Sequence, residues 1–221
     1  MICGMAHFED ATNEYSEDHS SPEGEVLSRL RRDTWLTTTK PQMLSDPIQG
    51  RFLSTISKMV RPNRILEFGT FTGYATICLS EGLSPKGEIH TVEINDELES
   101  IHEKYFQEAG VCENITRHYG HALDIIKRGE IKGEFDLIWL DADKEHQIEY
   151  AEFAISRLRS GGWLLIDNVI WGGAVLDMKK RAKPESGASR IHLLNKYILD
   201  HKEVENVLIP VWDGVQIAMK I

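Results

Sequence analysis

RILEFGTFTG, residues 64–73, begins as a strand and ends as something else. Ile65, Leu66 and Phe68 form a short apolar run, interrupted only by Glu67. Gly69 and Gly73 follow, and after them comes YATICLSEGL, an amphipathic stretch. Strand, glycine-bearing turn and helix in that order open a βα unit. The same texture continues outward. The runs EIHTVE (88–93), NITRHY (114–119), FDLIWLD (135–141) and GWLLIDN (162–168) alternate with DELESIHEKYFQEAG, ALDIIKRGE and EHQIEYAEFAISRLRS. Such alternation implies a mostly parallel sheet covered by helices on both faces. The end differs: VENVLIPV and VQIAMKI flank WDG, and Asp213-Gly214 is a hairpin signal. The expected fold is therefore Rossmann-like, doubly wound α/β, with seven strands and an antiparallel C-terminal hairpin strand.

Upstream of the first strand, two helices are expected. SSPEGEVLSRLRRD offers Ser21 as N-cap and Pro22 at the first helical position, and SDPIQGRFLSTISKMV repeats the device with Asp46 and Pro47. Residues 1–14 read as a flexible tail and 15–221 as one domain. Three scattered cysteines suit a reducing cytoplasm, not a disulfide framework. No apolar run reaches the roughly 18 residues of a membrane span. A net charge of −10 disfavours broad contact with phosphate backbones, although MKKRAK (178–183) is a local cationic patch.

In doubly wound sheets, ligands bind beyond the carboxyl ends of the strands. Glu67, Glu93, Asp141 and Asp167-Asn168 stand at those ends here, and Gly120-His121-Ala122 follows the third strand. A sheet edge gains no stability from clustered like charges. The glycine loop is G-x-x-x-G, not the G-x-G-x-x-G of dinucleotide sites, and carries an acid two residues ahead. An acid repels pyrophosphate but suits an ammonium group. Glu93, at the end of the next strand, sits where an acid holds ribose hydroxyls. A positively charged nucleoside without phosphates fits both, and S-adenosylmethionine (SAM) is one.

Seven segments in order, KPQMLSDPIQGRFL, RILEFGTFTGYA, TVEIND, GHALDII, FDLIWLDADK, GGWLLIDNVIWGG and DGVQIAMKI, make the chain from about Tyr15 onward resemble the cation-dependent class I SAM O-methyltransferases of the catechol and caffeoyl-CoA type, in a bacterial-looking form. The resemblance implies a metal held by Asp141, Asp167 and Asn168. Magnesium suits this oxygen-only set best, with manganese or calcium as alternatives. It implies a cofactor site of Met43, Glu67, Gly69, Gly73, Ala75, Glu93, His121, Ala122 and Asp141, and Lys144 as general base beside Asp141. Trp171 and Arg190 are weaker matches to substrate-facing residues. Relatives often carry serine where Ala75 stands and aspartate where His121 stands, so one hydroxyl contact is lost and adenine binding becomes pH-dependent. A homodimer is implied, in the cytoplasm.

Plainer readings stand beside these. Asp143 is a helix cap, Lys144 a solvated lysine, Asn168 a turn former and Trp171 a core aromatic. If a helix starts directly after the fourth strand, Asp141 and Lys144 lie on one of its faces. Three functions stay open: methylation of a small aromatic vicinal diol, methylation of a hydroxylated transfer RNA base, and nucleotide-dependent dehydrogenation on the same fold.

Overall fold

Alternate side chains of β1, Arg64–Phe68, leave on opposite faces, as strand geometry requires. Leu66 and Phe68 enter one apolar layer and Ile65 the other. β4, Phe135–Leu140, divides in the same way: Ile138 and Leu140 join the first layer, Leu137 and Trp139 the second. Every residue of β4 is buried, which marks a central strand covered on both faces. These features come from a computed structural model that describes residues 11–184 and 186–221.

The other strands are β2 (Glu88–Glu93), β3 (Ile115–Tyr119), β5 (Leu158–Asp167), β6 (Val204–Ile209) and β7 (Val215–Lys220). They form one seven-stranded sheet in the order β3-β2-β1-β4-β5-β7-β6. β1 to β5 are parallel, whereas β7 runs antiparallel to both its neighbours. From β1 the chain winds outward through β2 and β3, then returns to place β4 on β1's other side. That reversal opens a crevice at the carboxyl ends of β1 and β4. Because β7 runs backwards, the 210–214 turn that precedes it lies at this same edge.

Helices α1 (Glu25–Thr37), α2 (Pro47–Val60), α3 (Tyr74–Ser80), α4 (Glu99–Glu108), α5 (Ala122–Lys127), α6 (Gln147–Arg157), α7 (Met178–Arg181) and α8 (Gly187–Asp200) cover the sheet. α6 and α8 fill the first layer with Tyr150, Ala151, Leu194 and Ile198. α1 to α4 fill the second, with Leu30, Leu53, Leu79 and Phe106 among others. α2 begins as expected: Asp46 accepts a hydrogen bond from the Gln49 amide at 2.7 Å, and Pro47 follows it.

Other expectations need correction. α1 starts at Glu25 after Gly24, not at Pro22 after Ser21. Glu23 is held by Arg31 and by the Tyr74 hydroxyl at 2.8 Å, which keeps the segment before Glu25 outside the helix. No helix begins directly after β4; α6 starts only at Gln147. β5 starts four residues before the tryptophan-containing run, at Leu158, and the register with β4 shifts near Phe135. α8, for which no helix was expected, is capped by Ser186, with Ile191, Leu194 and Ile198 buried at helical spacing. The tail expected over 1–14 lies mostly outside the described residues; from residue 11 it joins a mostly exposed helix running to 18. Among the described residues no helix is long and apolar enough to cross a membrane.

Trp139 is 0% exposed in the second layer. Trp139→Ala is expected to cost about 3–5 kcal/mol, transfer plus cavity, measured as a loss of midpoint in urea followed by circular dichroism. A change below about 1 kcal/mol would contradict this packing.

Candidate active site

The carboxyl ends of all five parallel strands line one cleft of about 780 Å³. β1 contributes Gly69 and Phe71, β2 Glu93, β3 His121 and Ala122, β4 Asp141 and Lys144, and β5 Asp167 and Asn168. Met43 and Gln49 cover it from the N-terminal side, and Trp171, Trp212 and Asp213 close the far wall.

The glycine loop is built to approach its neighbours. A Cβ on Gly69 (φ +94°) would stand 2.1 Å from the Asp141 carbonyl oxygen. Only glycine lets β1's exit pass so close to β4's exit. The loop is pinned by Gly69 and Thr70 amides donating to the Val92 carbonyl at 3.0 and 3.2 Å. The Phe71 amide donates to Glu93 Oε2 at 2.7 Å, and His102 Nε2 donates to the Phe71 carbonyl at 2.5 Å. Burial lowers the His102 pKa to about 4, so it serves as a neutral strut.

Glu93 is held at both oxygens, since the Asn95 amide donates to Oε1 at 2.9 Å. Burial raises its pKa, opposed by these backbone hydrogen bonds. Each carboxylate oxygen keeps lone-pair capacity for a further donor, as a ribose diol would supply. Glu67 lies beneath the loop, fully buried, and does not line the cleft. Thr76 and Thr91 hydroxyls each donate to Oε2 at 2.5 Å, while Oε1 has no partner. Burial pushes its pKa up to about 8 despite those hydrogen bonds. Glu67 thus acts on the cleft through the loop it supports.

Leu140 pairs with Ile166 across the β4–β5 ladder, so the next residues, Asp141 and Asp167, emerge side by side. Enclosure raises both carboxyl pKa values above the ordinary range, and Asp167's charge raises that of Asp141 further. Two acids at this spacing call for a positive partner. Gln49 Nε2 donates to Asp167 Oδ2 at 2.8 Å and the Asn168 amide to Oδ1 at 2.8 Å, which fixes the carboxylate. Asn168 takes φ +57°, a left-handed conformation asparagine tolerates well. Asn168 joins the two acids on the cleft lining.

Lys144 reaches this group without a helix. Its Nζ lies 3.7 Å from Asp141 Oδ1 and 6.0 Å from the centre of the Trp171 ring, is buried, and has no hydrogen-bond partner. The loop that carries it is tied by Asp143, whose Oδ1 accepts from the Glu145 and His146 amides at 3.0 and 3.1 Å. Tyr150 donates to Asp143 Oδ2 at 2.6 Å. Asp143 therefore shapes the loop that precedes α6.

Besides Glu67, three expected residues stand outside the main cleft. Ala75 lines a small recess beside Gly69, Gly73 faces the Phe106 ring, and Arg190 Nη2 lies 3.8 Å from Glu145. Gln49, Phe71, Trp212 and Asp213 line the cleft without having been singled out. Trp171 and Trp212 both hold positive φ, at 55° and 48°, a rare conformation for so bulky a residue. Strain of that kind gathers at functional sites. Asp213 is bonded to the Gly172 amide, which joins the two walls. No sequence signal marks Gln49, because an amide on a helix is unremarkable until the helix docks.

Comparison with known proteins gives a consistent answer. A family profile described as O-methyltransferase matches residues 17–221. The chain is 31% identical over 180 residues to a catechol O-methyltransferase of Mycobacterium tuberculosis, covering 81% of each protein. It is 29% identical to caffeoyl-CoA O-methyltransferase 2 of Petunia hybrida, covering 96% of this chain and 91% of that one. The structure of the O-methyltransferase TomG from Streptomyces achromogenes, in complex with SAM, superposes with TM-score 0.87 at 28% identity, covering 95% and 96%. An O-methyltransferase from Bacillus cereus, in complex with SAH, gives 0.88 at 27% identity, covering 96% and 97%.

Proposed function

Since the chain belongs to the SAM-dependent O-methyltransferase family, we propose that it methylates a hydroxyl of a small aromatic vicinal diol with the help of a divalent cation. The observation that carries this reading is the convergence of Asp141, Asp167 and Asn168 on one cleft floor, with Lys144 Nζ 3.7 Å from Asp141. The donor set is all oxygen, which fits magnesium or manganese. The enclosed acid pair has raised carboxyl pKa values and gains from a cation that lets both ionise.

When bound, the cation lowers the pKa of an aromatic hydroxyl, ordinarily near 10, and fixes its orientation, while SAM brings the methyl group on a sulfonium. The chain's own residues do the rest. Glu93 holds the ribose end, and the Gly69 loop lets the methionine end lie close to the backbone. Met43 covers the cofactor, and His121 and Ala122 flank the adenine. Trp171 and Trp212 wall a flat acceptor, and Lys144 takes the acceptor's proton. Positioning donor and acceptor in line is the larger part of the work.

The deciding experiment offers the protein SAM and magnesium with catechols in one arm and bulk transfer RNA in the other. Methylation of the catechol supports the proposal. Methylation of transfer RNA alone overturns the substrate class and keeps the chemistry.

Glu93→Ala separates binding from catalysis. A hydrogen bond to a charged group contributes roughly 1.5–3 kcal/mol, so SAM affinity is expected to fall about 10- to 150-fold. The rate at saturating SAM should change much less. The substitution also strips partners from the Phe71 and Asn95 amides, so thermal unfolding is measured alongside. Unchanged affinity in a folded variant would place the ribose elsewhere.

A further inference from the structure

His121, at the N-cap of α5, meets Asp143 and His146 from the β4–α6 loop. One ligand-type atom from each of the three lies within 4.8 Å of the others. The His121 and His146 rings meet edge to face at 5.2 Å. The third member is already set in place: Asp143 accepts from two backbone amides and from the Tyr150 hydroxyl at 2.6 Å, with His146 Nδ1 3.1 Å from its Oδ1. Such outer support is what orients the ligands of a working metal centre. Both histidines are half-buried and Asp143 is exposed, so an ion can enter and keep water ligands. With metal–nitrogen bonds of about 2.1 Å, tetrahedral ligand atoms stand roughly 3.4 Å apart, so the triad has to draw together to hold an ion.

This set differs in kind from the oxygen-only floor of the cleft. Imidazole donors favour zinc, cobalt, nickel or copper over magnesium. We propose that His121, Asp143 and His146 form a second metal site, selective for an imidazole-preferring divalent transition ion, and that an ion held there blocks the adenine end of the cofactor cleft. His121 and Asp143 both line that cleft. The blocking half of the proposal rests on the adenine position given under Proposed function; the metal site itself does not.

The test titrates zinc into the intact protein by calorimetry with magnesium saturating, so that the oxygen site is filled, and repeats it with S-adenosylhomocysteine present. One zinc per chain should bind, and the affinity for S-adenosylhomocysteine should fall as zinc rises. His146→Ala and His146→Gln should each weaken zinc by more than the roughly 10- to 100-fold typical for loss of an outer-shell partner. Both should keep zinc-free turnover and lose the effect of zinc on S-adenosylhomocysteine. Equal zinc isotherms in wild type and both variants would overturn the site. Zinc binding through His146 with unchanged S-adenosylhomocysteine affinity would overturn the blocking. Failure of S-adenosylhomocysteine to bind without zinc would instead count against the proposed function.

Discussion

Turnover is expected to vanish in a chelator and to return when magnesium or manganese is added back. Asp167→Asn should reproduce the loss without chelator. The reason is the β4–β5 register, which brings Asp141 and Asp167 out together. With no cation present the enclosed pair favours a proton, and an aromatic hydroxyl stays mostly protonated at neutral pH. A bound cation supplies several kcal/mol of stabilisation to the developing oxyanion, or about a thousandfold in rate. Asp167→Asn keeps the volume and removes the charge. SAM binding, measured separately, should persist within about tenfold, since Asp167 is not assigned to the cofactor. Full activity in chelator would leave the acid pair without its proposed role.

Lys144→Ala should lower the rate at saturating substrates by at least about 100-fold, as loss of a general base does, with SAM and metal affinities kept. The geometry motivates the size. Lys144 Nζ is buried, 3.7 Å from Asp141, and without a hydrogen-bond partner, so it is free to turn to the acceptor's hydroxyl. The deficit should shrink as pH rises toward the acceptor's own pKa, because solvent hydroxide then removes the proton. A pH profile parallel to wild type would point to a structural role. Wild-type turnover at neutral pH would return Lys144 to the status of an ordinary lysine.

Much of this architecture was legible because each strand is a short apolar run with a polar stop. Residues 64–73 and 135–144 carry both a strand and residues that line the cleft, so reading the strands located the cleft. Local signals also sufficed for α2, whose Asp46-Pro47 opening is realised. They failed at α1, where the Tyr74 hydroxyl and Arg31 hold Glu23 and displace the helix start. They failed at Lys144 in detail: the expected helical spacing is absent, and a loop tied by Asp143 achieves the same approach. Gln49 and Trp212 were invisible because their roles exist only after distant segments meet. Gln49 contacts Asp167 across 118 positions of sequence. Arg190 was marked by position alone, and its guanidinium lies 3.8 Å from Glu145, outside the main cleft.

The reversed β7 has an evolutionary consequence. It makes one wall of the cleft, at Trp212 and Asp213, out of a hairpin turn and not a crossover. A turn between two paired strands accepts insertions cheaply, because doubling a loop adds only about 0.6 kcal/mol of closure entropy. Asp141 sits just past β4 and Lys144 in the loop after it, both away from this turn, whereas Asp167 pairs with Val215 beside it. Descendants of this chain can therefore lengthen or shorten 210–214 and reshape that wall while the strand ends that carry Glu93 and Asp141 stay as they are.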